Sequence, residues 1–374
     1  MSKQKILLIA VFSLLLLLSP LRAASQVGQE SPQAEPAKKT SIGLVILPVV
    51  LWMPETKLGG GVGGLITFRS ATSAPTDRPS SLYFYAIYTQ RKQFSTQWEP
   101  EFYFQKEKYL LRSKLLFEKY PDKFWGVGNA TPDEAEENYK PRTFSVEASF
   151  QKRILAEQKL YAGIQYIFES YKMLETDTGK SLDQAAWPGS TGGTSSGLGF
   201  IINWDTRDNI FTPRRGNYWQ LSTYFNRKFL GSDFNYTTMK LDLRKFFLVT
   251  ATHVLAFQAL LQSATGEVPF KSYAKLGGDS IMRGYYSGRY RDNYLMAFQG
   301  EYRLPVWWRF GLAGFAGLGN VADKLRNFDL GEFKYSVGIG IRFLVVPKEG
   351  TNLRLDFAWG KGTSGFYFTA RESF

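Results

Sequence analysis

From Ser41 to Phe374 apolar and polar residues alternate with a period of two, and that texture excludes most folds. In 143–151, Phe144, Val146, Ala148 and Phe150 alternate with Ser145, Glu147, Ser149 and Gln151. In 334–343, Tyr335, Val337, Ile339, Ile341 and Phe343 alternate with Lys334, Ser336, Gly338, Gly340 and Arg342. In 352–359, Leu353, Leu355, Phe357 and Trp359 alternate with Asn352, Arg354 and Asp356. Around 239–244, Met239, Leu241 and Leu243 alternate with Lys240, Asp242 and Arg244. Successive strand side chains point to opposite faces, so each segment has one apolar face and one charged face. The fold class is all-β. In a soluble sandwich the apolar face would point into a core. In a transmembrane antiparallel β-barrel it would point to lipid while the charges line a wet lumen.

Loop lengths choose between these. The strand-length segments are 43–52, 57–69, 80–91, 94–105, 107–118, 142–153, 158–171, 195–206, 216–227, 234–247, 251–264, 293–304, 309–318, 333–345, 351–359 and 365–374. They number sixteen, each near or slightly above the roughly 9–11 residues a tilted strand needs to cross a bilayer, and an even count suits a single-chain barrel. With the first segment rising from the periplasm, the long connections 119–141, 172–194, 265–292 and 319–332 fall on the external side. Connections 154–157, 248–250, 305–308 and 346–350 are short and fall on the other. A sandwich has no reason to sort its loops this way, so the barrel is expected over 42–374.

The N-terminus agrees. Lys3 and Lys5 precede an apolar run from Ile6 to Leu18, then Ser19, Pro20 and the small residues Ala23, Ala24 and Ser25. This is the order of a secretory signal peptide, expected at 1–25. The run of 13 residues is short of the roughly 20 a membrane anchor requires. Residues 26–41 (Gln26 to Thr40, then Ser41) are polar and contain proline, which reads as a flexible leader. It is too short for a folded domain, so a barrel alone is expected.

Several chemistries lack their residues. The chain has no cysteine, which removes disulfides, thiolate metal sites and a lipoprotein anchor. His253 is the single histidine, at the start of the eleventh segment near the periplasmic edge, and it reads as a rim residue rather than a catalytic base. No enzyme, metal or cofactor is expected. Asp133, Glu134, Glu136 and Glu137 lack the ligand spacing of a calcium loop and read as a solvated loop. The net charge of +13 comes with no nucleic-acid motif; anionic lipid head groups or plain solvated loops account for it.

One stretch is specific. Gly277-Gly278-Asp279-Ser280-Ile281-Met282-Arg283-Gly284-Tyr285, followed by Arg289-Tyr290-Arg291-Asp292-Asn293, resembles the hydrophobic-Arg-Gly-aromatic motif in the sixth external loop of the bacterial surface antigen family, the BamA/TamA-like barrels. It falls between the eleventh and twelfth segments, where that family carries it. Met53-Pro54-Glu55-Thr56-Lys57-Leu58-Gly59 looks like the family's first external turn. Asp205-Thr206-Arg207-Asp208-Asn209, with Pro213 and Gly216, looks like a periplasmic turn. Glu301-Tyr302-Arg303-Leu304-Pro305 resembles the twelfth strand, and Phe315, Gly319, Asn320 and Val321 the thirteenth. The resemblance covers 45–374. The final alternation ending in Phe374 resembles the C-terminal signal read by the assembly machinery.

The resemblance implies that the long external loop folds into the lumen with Arg283 at its tip. A guanidinium withdrawn from water needs a carboxylate partner, and Glu301, sharing the inner face with Gln299 and Arg303, fits the family's first acidic position. The second is Gly317 here, so either the anchor is weaker or Asp279 or Asp292 substitutes. Pro48 interrupts the first strand beside Gly59-Gly60-Gly61; the expectation is a rim bulge, the alternative a flexible seam at the family's proposed lateral gate. The function implied is assistance in inserting or translocating polypeptides at the bacterial outer membrane. The partners implied are outer-membrane lipid and lipopolysaccharide, client polypeptides, or a separate periplasmic protein. The alternative is a passive or structural pore in which Arg283 merely pins a loop.

Overall fold

The computed structural model describes residues 42–53, 57–69, 77–155, 157–347 and 350–374. The expected signal peptide and leader, and residues 54–56 of the first external turn, lie outside the described residues. One antiparallel sheet of seventeen strands contains nearly all the regular structure. One of these, Asp122–Phe124, is a short strand on a loop. The other sixteen are β1 (Ile42–Met53), β2 (Lys57–Phe68), β3 (Ser80–Thr89), β4 (Phe94–Phe104), β5 (Tyr109–Lys119), β6 (Glu137–Leu155), β7 (Leu160–Thr176), β8 (Gly192–Asp205), β9 (Gly216–Asn226), β10 (Tyr236–Leu248), β11 (Val254–Gly266), β12 (Tyr294–Trp307), β13 (Phe310–Ala322), β14 (Lys334–Val346), β15 (Thr351–Gly360) and β16 (Thr363–Ala370). Each pairs with its sequence neighbour, from β1–β2 through to β15–β16.

Burial decides what this sheet is. Phe144, Phe150, Ile164, Phe200, Trp219, Phe257, Ile339 and Trp359 are exposed on one face. Arg112, Asp205, Asp242, Glu301, Arg342 and Asp356 lie covered or nearly so on the other. A soluble protein arranges these the other way round, and an apolar belt this wide would drive association in water. Facing lipid, it costs nothing, and the charges inside keep water and one another as partners. The sheet is a transmembrane barrel.

The strand boundaries follow the alternation within a few residues, with two informative departures. β6 and β7 run well beyond the expected 142–153 and 158–171, because Tyr139 still pairs with Thr176 above the membrane. This raised hairpin packs Phe124, Tyr139, Tyr171, Leu182 and Phe270 into a small external core. The last strand, expected to reach 374, stops at Ala370: Arg371 takes φ +72°, a left-handed turn that ends the ladder. Phe374 then tucks inside against Phe246, and its carbonyl accepts a bond from Arg303 at 3.1 Å. Pro48 makes no bulge. The β1–β2 register runs unbroken from Ile42 to Met53, as a sheet edge permits.

Candidate functional site

The loop between β11 and β12, residues 267–293, turns into the lumen. Ala274–Leu276 pairs with Tyr290–Asp292 to make its stem, and the tip between them carries the Arg-Gly-Tyr motif. Ile281, Met282 and Tyr285 pack with Leu276 of the stem and with Leu260, Leu295, Ala297 and Val321, an apolar collar from β11, β12 and β13. Each side chain fully buried in such a collar contributes roughly 1.5–3 kcal/mol. Gly278 (φ +123°) donates its N–H to the Tyr285 carbonyl at 3.1 Å and closes the tip.

Arg283 is gripped on three sides. One terminal nitrogen donates to Asp356 Oδ2 at 2.5 Å, the other to Glu301 Oε2 at 2.6 Å, and all three side chains are fully buried. The guanidinium also lies 3.3 Å from the Phe315 ring centroid, a cation–π contact in a water-poor setting. The backbone carbonyl of Arg283 accepts from the Ser336 hydroxyl. Gly284 has φ +106°, and a Cβ there would come within 2.9 Å of the Trp359 backbone, so no side chain fits. Its N–H donates to Tyr367 Oη at 2.9 Å. Tyr285 donates from its hydroxyl to the Tyr335 carbonyl at 3.0 Å and accepts from the Lys361 N–H at 2.9 Å. One tripeptide thus touches β12, β13, β14, β15 and β16.

The carboxylates have other partners. Glu301 Oε1 accepts from Arg303 at 2.7 Å and Arg342 at 3.1 Å; Asp356 Oδ1 accepts from Arg342 at 2.6 Å. Arg342 reaches a third acid, Glu372, at 2.8 Å. Burial opposes ionisation of Glu372, but Arg342 and Arg303 prevail and hold its carboxyl below the usual range. The second acid for Arg283 is therefore Asp356, neither Gly317 nor the expected substitutes. Asp279 lies 3.8 Å from Arg354, and Asp292 accepts the N–H of Asn293. Gly317 is small for a packing reason: the Met282 sulfur sits 3.2 Å from where a Cβ would be. Asp356 and Arg342 were visible in the sequence as the polar side of their strands, but only register brings them to the loop.

The stem is tied to the far side of the barrel. Buried Arg291 donates to the carbonyls of Gly288, Phe270 and Lys123, and Gly128 bridges to Arg291. Arg289 pairs with Asp133 at 2.7 Å. Burial and neighbouring Arg291 press Lys275 down to about 8, with Asp122 opposing. Two further acids of that region are engaged: Glu136 with Lys123, and Glu137 with Ser181 and the Leu182 N–H.

Asp205 and Arg207 sit apart from the loop, at the end with the short turns. Arg207 pairs with Asp205 at 2.8 Å. Arg78, just before β3, crosses to Asp205 at 3.1 Å, while its N–H donates to Glu107 at 2.7 Å. His253 lies in the turn before β11, with Nδ1 2.6 Å from Tyr302 Oη.

The model of the Omp85 superfamily domain matches residues 78–374. Among solved structures, BamA from Haemophilus ducreyi lacking POTRA domains 1–3 superposes with a TM-score of 0.54 at 16% identity, over 88% of this chain and 69% of that one. CdiB from Acinetobacter baumannii gives a TM-score of 0.51 at 12% identity, over 86% of this chain and 56% of that one. At these identities the likeness is one of fold. No curated protein matches. Since the domain match spans most of the chain and the architecture is that of these two barrels, the chain is an outer-membrane β-barrel and belongs to the Omp85 superfamily.

Proposed function

We propose that this barrel assists insertion or translocation of polypeptides at the outer membrane, acting at the seam between β1 and β16. The inward turn of the C-terminus carries the reading. β16 has only eight residues, the chain leaves the ladder at Arg371, and Phe374 packs inside the lumen. Among the described residues β1 is hydrogen-bonded to β2 alone, and Pro48 adds no donor to its edge. Unpaired backbone groups facing lipid are costly, and an incoming strand satisfies them by adding to the edge. Client polypeptides, or a periplasmic partner delivering them, would meet the barrel there.

The chain lacks cysteine, so the test is clean. A single cysteine at Ile46 of β1 should crosslink to nascent barrel polypeptides in cells, whereas one at Ile202 of β8 should not. Deleting the gene should lower the levels of other outer-membrane barrels. Unchanged levels with altered uptake of small solutes would favour a passive pore. One observation supports that second reading: a polar chamber of about 420 Å³ lies between the β5–β11 wall and the loop, lined by Lys114, Glu147, Gln220 and Lys240.

A further inference from the structure

The lipid-facing wall of β10–β14 is not flush. Register places Ala259 between Leu243 and Phe298, and Gly300 between Phe257 and Ala316. Ala259, Gly300 and Ala316 thus form the floor of a groove of about 690 Å³. Phe257, Phe298 and Leu318 form its sides and are 45%, 44% and 51% exposed, so the rim projects into the membrane. The Phe257 ring leans over Gly300, 3.3 Å from where a Cβ would stand.

Lys245 lines the same groove, and no Asp or Glu does. It is three residues from the end of β10 and two residues beyond Leu243, which pairs with Trp219 and faces the same side. Trp219 stacks edge-on against Trp204 at 4.8 Å, an aromatic pair of the kind that marks the membrane interface. The Lys245 ammonium lies 5.2 Å from the Phe247 ring centroid, close enough to the rim to reach head groups. This is the end with the short turns, hence the periplasmic leaflet.

We infer that this groove is a phospholipid site: one acyl chain fills the recess over Ala259, Gly300 and Ala316, and an anionic head group pairs with Lys245. An apolar recess within a bilayer is filled by hydrocarbon, and its volume falls within the roughly 300–1,000 Å³ of small-molecule sites. A wholly apolar groove would accept any lipid. The cation at its mouth, with no carboxylate lining the groove beside it, selects net negative charge. The inference rests on the outer-membrane location and is independent of the polypeptide-insertion reading.

The test is native mass spectrometry of the barrel exchanged into phosphatidylglycerol or phosphatidylcholine micelles. One phosphatidylglycerol should be retained per barrel, with phosphatidylcholine held roughly fivefold more weakly, the worth of one basic residue at an anionic surface. Lys245→Gln should erase that preference. Ala259→Leu with Ala316→Leu should abolish retention of both lipids; leucines facing lipid match their neighbours, and heat-modifiable mobility would verify folding. Retention unchanged in the filled groove, meaning annular lipid only, would overturn the site. So would a head-group preference that survives Lys245→Gln, or selective retention of lipopolysaccharide. If the double variant does not fold, the Lys245→Gln comparison still decides.

Discussion

Two buried charge clusters occupy the lumen, one beneath the loop and one near the periplasmic end, and they are built from the same device. Both use an acid and an arginine two residues apart in the chain: Glu301 with Arg303 and Arg354 with Asp356 in the first, Asp205 with Arg207 and Asp242 with Arg244 in the second. They differ in what comes from elsewhere in the chain. Without the loop, the first cluster already sets Arg303, Arg342 and Arg354 against Glu301, Asp356 and Glu372. Resident arginines occupy Glu301 Oε1 and Asp356 Oδ1, and the oxygens turned to the loop are Oε2 and Oδ2. Arg283 therefore docks on a wall that is balanced before it arrives. The loop is thus a guest on a preformed receptor, and it can leave without stranding a buried acid.

The largest effect should come from removing an acid of the receptor. Glu301→Gln leaves four arginines facing two carboxylates and disrupts contacts to Arg283, Arg303 and Arg342. Removing one partner of a buried pair costs about 3–5 kcal/mol. Urea unfolding in micelles should show that loss, and Asp356→Asn should show a similar one. Arg283→Ala should cost less, about 1.5–3 kcal/mol for its charged hydrogen bonds, because the remaining charges still cancel. Its larger consequence should be a loosened loop, seen as higher and noisier single-channel conductance. If Arg283→Ala destabilises the barrel as much as Glu301→Gln, the wall is not balanced without the loop, and the comparison fails.

The sequence showed faces; it did not show register. The alternation of Phe144, Val146, Ala148 and Phe150 places strand β6, and the Arg-Gly-Tyr motif places the tip of the loop. Glu301 was legible as Arg283's partner because it shares a face with Gln299 and Arg303 two residues either side. Asp356 was not, although its strand alternates plainly: it lies 73 residues from Arg283. Only the register of β14 with β15, which sets Asp356 opposite Gly340, brings its side chain beside the loop. The inward turn after Ala370 was illegible for a different reason. Alternation predicts continuation, whereas the burial of Phe374 against Phe246 is a tertiary gain that no local pattern encodes.

The smallest expected effect lies in the second cluster, and it sharpens the contrast. Arg78 reaches Asp205 across 127 residues of chain, yet Asp205 keeps Arg207 when Arg78 is lost. The Glu107 carboxylate is held through the backbone N–H of residue 78, which a substitution leaves in place. Arg78→Ala removes an ion pair and the donor to the Asp205 and Arg207 carbonyls, and should cost about 1.5 kcal/mol, the low end for hydrogen bonds from a charged group. Hydrogen exchange would localise it: amides at 205–217 should lose protection while those at 277–285 stay unchanged. Arg283→Ala should give the reverse pattern. Were either substitution to loosen both segments, the two clusters would be one cooperative unit, and the loop would be no guest but part of the barrel's own core.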